Sequence, residues 1–243
     1  MRSSSICAGQ DMPPNHSAVT FLLDVDNTLL DNDRVTADLR HHLESTVGRE
    51  RANAYWVAFE ELRAELGYAD YLGALQRYRV AHPRDLHVLT VSRFLLDYPF
   101  ADRLFPQALE VIAHLRQWGT TVILSDGDVV FQPRKIERSG LFASVGGNVL
   151  VYIHKERELE DVEQRYPADR YVMVDDKLRI LVAMKQQWQS RLTTVFVRQG
   201  HYAHDAHVLN SLPPADVTLE GIADMQKYDL QELLALSKSP LHG

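Results

Sequence analysis

Two aspartates, Asp24 and Asp26, stand one residue apart early in the chain, and a second acidic pair, Asp175-Asp176, stands about 150 positions later. Between them come Ser125 and Lys155. Ionised carboxylates only accept hydrogen bonds, and several in one cleft repel one another unless a cation lies between them. An all-oxygen donor set of this kind favours Mg²⁺ over zinc or copper. A serine hydroxyl and a lysine ammonium add a donor and a positive charge. Metal, ammonium and hydroxyl together complement a tetrahedral dianion such as a phosphoryl group. Of the first two aspartates, one could attack while the other handles protons.

Each of these side chains ends an apolar run. Val19–Leu23 leads into Asp24, Thr121–Leu124 into Ser125, Val149–Ile153 into His154-Lys155, and Tyr171–Val174 into Asp175-Asp176. Thr194–Val197 is a fifth run. Continuous rather than alternating apolar runs predict strands covered on both faces. Helical patterns over 106–118, 130–139, 156–166 and 178–188 separate the runs, with Pro106 suited to a first helical turn. Alternating strands and helices predict a parallel Rossmann-like sheet of about five strands flanked by helices, an α/β fold. In such a sheet the carboxyl ends of the strands share one edge, where ligands bind. The stretch from Thr28 to Ser125 far exceeds the roughly 30 residues that a βαβ unit needs. Four helical patterns, over 34–47, 49–66, 69–80 and 86–96, fill the excess and predict an inserted all-helical cap. The expected division is a loose tail over 1–17, a core of 18–32 and 104–243, and a cap of 33–103.

Composition narrows the classes. The 243 residues include 26 Lys and Arg against 33 Asp and Glu, a net charge of −7. That balance gives no general attraction to nucleic acid or an anionic membrane. There is one cysteine, Cys7, which excludes an intramolecular disulfide or a Cys-based zinc site. No run of about 18 apolar residues predicts a membrane span, and the N-terminal stretch lacks the apolar centre of a signal peptide. A cytoplasmic protein is expected. Its oligomeric state is not legible.

The order of motifs resembles the haloacid dehalogenase superfamily, in its phosphatase branch. The opening D-x-D-x-T is Asp24-Val25-Asp26-Asn27-Thr28, the second motif is Ser125, the third is Lys155 and the fourth is Asp175-Asp176. The resemblance covers roughly residues 18–228. It implies that Asp24 is the nucleophile forming an aspartyl-phosphate and that Asp26 is the acid and base. It implies Mg²⁺ at Asp24, the Asp26 backbone carbonyl and Asp175, with Asp176 assisting the metal shell or orienting Lys155. Ser125 and Lys155 would bind the phosphoryl oxygens, with Asp126 and Gly127 alongside, and Thr28 would brace the loop. The implied partner is a small phosphorylated metabolite. The dehalogenase branch lacks an acid at the position of Asp26. A phosphonate hydrolase needs a cap lysine, and residues 33–103 contain none. A phosphomutase and a catalytically silent binding protein on the same scaffold remain alternatives. The third motif departs from the usual Lys-Pro, reading Lys155-Glu156, and Lys135 is its rival, expected as a surface lysine on the following helix.

Other features receive plainer readings. His201, His204 and His207 with Asp205 are expected in a solvated loop rather than around a metal. Trp56, Phe59 and Leu62 should pack the cap's own core. Arg77, Tyr78, Arg79 and His82 read as a charged helix face in water. Asp31 and Asp33 should serve the hinge or cap a helix, and Asp128 should cap the helix after Gly127.

Overall fold

The computed structural model describes residues 16–237; Cys7 and all but the last two residues of the expected tail lie outside them. Six strands form one sheet: β1 (Ser17–Leu23), β2 (Thr120–Asp126), β3 (Val149–Tyr152), β4 (Ala168–Asp175), β5 (Leu192–Val197) and β6 (Val217–Leu219). Their spatial order is β3-β2-β1-β4-β5-β6, and every pairing is parallel. β1 therefore sits inside the sheet, with Leu22 aligned to Val122 on one side and to Met173 on the other.

The period of two along each strand sends alternate residues to opposite faces. Phe21 and Leu23 join one apolar layer, packed with α5 (Ala108–Leu115) and the 3₁₀ turn Ile222–Lys227. α6 (Phe131–Arg138), α7 (Leu141–Ser144) and α11 (Leu230–Ala235) complete that side. Leu22, Val122 and Leu124 join the other layer, under α8 (Leu159–Arg165), α9 (Leu178–Trp188) and α10 (Ala206–Ser211). Burial on both faces is why the strands read as unbroken apolar runs.

Between β1 and α5 the chain forms α1 (Asn32–Val47), α2 (Arg49–Leu66), α3 (Tyr71–Ala81) and α4 (Val88–Asp97). Trp56, Phe59 and Leu62 are buried, as their spacing predicts, and the layer that holds Trp56 and Phe59 runs into the first face of the core through Tyr71 and Phe131, whose rings are 5.2 Å apart. The exit and return of this insert lie side by side: Asp31 N donates to Arg103 O at 2.8 Å and Phe105 N to Leu29 O at 2.9 Å. Asp31 caps α1 by accepting from Arg34 N at 2.8 Å, and Asp128 Oδ1 accepts from Val130 N and Phe131 N at 2.8 Å.

Four expectations need correction. The sheet has six strands rather than five, because β6 is too short to show a pattern. α5 starts at Ala108 instead of Pro106, since Gln107 adopts a left-handed conformation at φ 63°. The predicted helix over 156–166 splits into a 3₁₀ turn, Lys155–Arg157, and α8. Tyr78 is not on a solvated face; it is buried, and its hydroxyl donates to Asp85 at 2.7 Å.

Candidate active site

The carboxyl ends of β1, β2, β3 and β4 meet at one edge. After β1 the backbone stays locked to its neighbour, with Asp24 N donating to Val174 O at 3.0 Å. It then turns sharply: Leu29 N and Leu30 N both donate to Val25 O at 2.9 Å, and Asn27 takes a left-handed conformation at φ 60°. An asparagine tolerates that region better than most residues, and Asn27 Oδ1 accepts from Asn32 N and Asp33 N at 3.0 and 3.1 Å. This turn aims Asp24 inward and Asp26 toward the cavity.

Lys155 is the electrostatic centre. Fully buried, its ammonium lies 2.5 Å from Asp24 Oδ1, 2.7 Å from Asp175 Oδ2 and 3.2 Å from Leu124 O. Burial alone would lower its pKa, but Asp175 and Asp24 outweigh that and raise it above the usual lysine value. Its backbone N–H donates to Asp126 Oδ1 at 2.9 Å. Ser125, buried at the end of β2, accepts from Gln132 Nε2 at 2.8 Å. Thr28 braces the loop as expected, its hydroxyl accepting from Asp176 N at 3.1 Å. Gly127 holds φ 153°, and a Cβ there would stand 2.8 Å from Gln132 Cβ.

The carboxylates of Asp24, Asp175 and Asp176 each place an oxygen within 4.8 Å of the others. Asp24 Oδ2 and both oxygens of Asp176 are buried without a hydrogen-bond partner, and Asp175 Oδ2 has only its ion pair with Lys155. Buried carboxylate oxygens in that state are costly, and the set matches the ligands of a hard divalent cation. Burial, reinforced by Asp175 and Asp24, pushes the Asp176 carboxyl up to about 9. Burial likewise pushes Asp175 up to about 6, against the pull of Lys155. Asp175 has its oxygens engaged, Oδ2 by Lys155 and Oδ1 by Lys177 N at 2.8 Å. Asp176 is the member of the pair with both oxygens free.

Lys135 is not a surface lysine. It is 1% exposed, and its ammonium donates to Asp26 Oδ1 at 2.6 Å and Asn32 Oδ1 at 2.9 Å. Lys155 and Lys135 thus hold different aspartates, one behind the site and one at its mouth. A cavity of about 480 Å³ opens between the strand ends and the helical insert. Asp26, Asp126 and Gly127 line it from the core, and Trp56, Phe59, Tyr68 and Tyr71 from the insert. His204 and His207 are exposed and join no metal-ligating group among the described residues. His201 instead binds Asp33 through its backbone N–H at 2.8 Å and its ring at 2.6 Å.

The family model for haloacid dehalogenase-like hydrolases matches residues 19–187. The chain belongs to this family. Among solved structures, a haloacid dehalogenase-like hydrolase from Burkholderia xenovorans is 62% identical, with a TM-score of 0.83 over 87% of this chain and 99% of that one. A magnesium-bound hydrolase of the superfamily, YfnB from Bacillus subtilis, is 17% identical with a TM-score of 0.58, covering 86% of this chain and 96% of that chain. The L-2-haloacid dehalogenase from Xanthobacter autotrophicus is also 17% identical, at 0.55 over the same shares. The last two show the fold alone. No curated protein matches the chain.

In this hydrolase the structure adds residues to the site that the sequence did not single out. Gln132 holds Ser125, Asn32 shares Lys135 with Asp26, and Lys177, Arg63 and Tyr202 line the cavity. For Lys177 a signal exists, because it directly follows the acidic pair at a strand end. Arg63 and Tyr202 carry none; they reach the cavity from α2 and from the loop after β5.

Proposed function

We propose that this hydrolase cleaves small phosphomonoesters in an Mg²⁺-dependent reaction through an aspartyl-phosphate. The observation that carries the reading is the group of unpartnered buried oxygens on Asp24 and Asp176 beside the Lys155 ammonium, with a second aspartate, Asp26, at the cavity. Asp24, the Asp26 backbone carbonyl and Asp176, with Asp175 behind them, would hold the ion. When bound, Mg²⁺ supplies positive charge that offsets both the carboxylates and the phosphoryl oxygens.

The chain's own residues then divide the work. Asp24 is oriented by Lys155, whose ammonium lies 2.5 Å from its Oδ1. One of its oxygens bonds to phosphorus, the ester P–O bond breaks, and the electron pair leaves on the ester oxygen. Asp26 gives that oxygen a proton. In the second half Asp26 takes a proton from water, the water oxygen bonds to phosphorus, and the bond from phosphorus to Asp24 breaks to release phosphate. Ser125 would donate to a phosphoryl oxygen, while the positive charge of Lys155 lies behind Asp24 and offsets the charge gathered there. The helical insert acts as a cap that excludes bulk water from the acyl phosphate between the two halves. Displacing a halide needs no proton donor, so Asp26 favours ester cleavage over dehalogenation. A small phosphorylated metabolite in the cytoplasm is the expected substrate.

The test is phosphate release from a panel of small phosphomonoesters, with Mg²⁺ and with chelator, beside halide release from 2-haloacids. Asp24→Asn should abolish release. Asp26→Ala should slow it by about 10²–10⁴, least for activated aryl esters. Halide release without phosphate release would overturn the reading.

A further inference from the structure

Lys177 stands on the cavity wall; burial there opposes its charge, but the carboxylates of Asp24, Asp176, Asp175 and Asp126 favour it from beyond contact distance and outweigh that. Its side chain forms no ion pair within 4 Å and donates no hydrogen bond among the described residues; its ammonium lies over the face of Tyr202, 5.3 Å from the ring centre. The Tyr202 hydroxyl in turn accepts from the Arg63 guanidinium of α2, and all three residues line the cavity. The other cations there are differently placed. Lys135 is engaged by Asp26 and Asn32, Arg179 lies 3.6 Å from Glu156, Arg40 lies over the Trp56 ring at 4.3 Å, and Arg63 itself also pairs with Glu60 at 3.4 Å. Lys177 is only half-buried, so a ligand in the cavity can reach its ammonium. It sits beside the floor that holds Asp24, because Lys177 directly follows the acidic pair. Lys155, by contrast, is fully buried and turned to Asp24, Asp175 and Leu124 O, whereas no acceptor among the described residues engages the Lys177 ammonium at the cavity.

We propose that Lys177, Arg63 and Tyr202 form a subsite for a second anionic group, so that the substrate is a small phosphomonoester also carrying a carboxylate or another phosphate. The inference rests on the phosphomonoester reading above. Lys177 supplies the charge, Tyr202 shields it from water on one face, and Arg63 reaches the same spot from the insert. The cavity, about 480 Å³, lies toward the small end of ligand pockets, which run roughly 300–1,000 Å³. Trp56 and Phe59 offer an apolar wall to the carbon skeleton.

The test compares three phosphomonoesters of equal carbon number, one with a carboxylate, one with a second phosphate and one neutral. Wild-type kcat/KM should favour an anionic ester, and which one wins identifies the group. Lys177→Met should lower the ratio of anionic to neutral kcat/KM by about tenfold, mainly through KM, as expected for losing one charge-assisted hydrogen bond. Lys177→Arg should restore most of it, which a merely structural role would not predict. No wild-type preference, or a ratio untouched by Lys177→Met, overturns the subsite. Calorimetric titration of the Asp24→Asn protein separates this inference from the reaction it rests on. Lys177-dependent binding of the anionic ester, with no ester hydrolysed by wild type, would keep the subsite and reject the phosphatase reading. Binding that ignores Lys177 would reject the subsite.

Discussion

Lys155 holds two buried carboxylates apart and neutralises them, and its removal should be felt in stability as well as rate. Lys155→Met leaves Asp24 and Asp175 facing each other without their shared counter-ion. Breaking one partner of a buried pair destabilises by about 3–5 kcal/mol. Urea unfolding of the metal-free protein should show a loss of that size, and Mg²⁺ should recover part of it. A loss under about 1 kcal/mol would refute the central role given to Lys155. Most of these residues were legible in the sequence, since each chemically suited side chain terminates an apolar run. The identity of the lysine was less so. Lys135 lies on a helix, and nothing in its spacing reveals that the helix points it into the site instead of out to water. The choice between Asp175 and Asp176 was equally hidden, because it depends on which carboxylate Lys155 engages.

The insert owes its shape to a few polar contacts that join its helices. Asp85, 4% exposed at its side chain, accepts from Tyr78 Oη at 2.7 Å, from the His87 ring at 2.8 Å and from Arg51 Nη1 at 3.3 Å. Burial opposes its ionisation, but the hydrogen bonds from Tyr78 and His87 prevail and hold the carboxyl down at about 2. A carboxyl with a lowered folded pKa lends stability that is complete above its unfolded value near 4 and is lost as pH falls toward 2. Asp85→Asn should therefore destabilise by about 1–3 kcal/mol at pH 7, and the gap from wild type should narrow between pH 4 and pH 2 in denaturant titrations. A gap independent of pH would show that charge is not involved. The four helices were legible because their apolar residues recur at helical spacing and all face one core. The sixth strand was not, since Val217–Leu219 offers only three residues. The start of α5 was missed because Gln107 takes a left-handed conformation that glutamine rarely adopts.

At the scale of the molecule, the acidic cluster should couple ion binding to stability. Mg²⁺ at about a hundred times its dissociation constant should raise the unfolding free energy by about 2.7 kcal/mol, and Asp176→Asn should remove most of the gain. With the Asp176 carboxyl pushed up to about 9, binding at pH 7 should release about one proton, readable as a buffer-dependent enthalpy. An unchanged thermal midpoint on adding Mg²⁺ would argue against the metal. The sheet order carries one more consequence. Thr20 of β1 pairs with Thr120 of β2, and Leu22 with Met173 of β4. Lys155 reaches Asp24 across 131 positions. Contacts this distant in sequence form slowly. A chain growing from the ribosome can build the insert helices early, yet it possesses no catalytic centre until β4 has emerged. On refolding, helical signal should return before activity, and the interval between the two should report the closing of β4 onto β1.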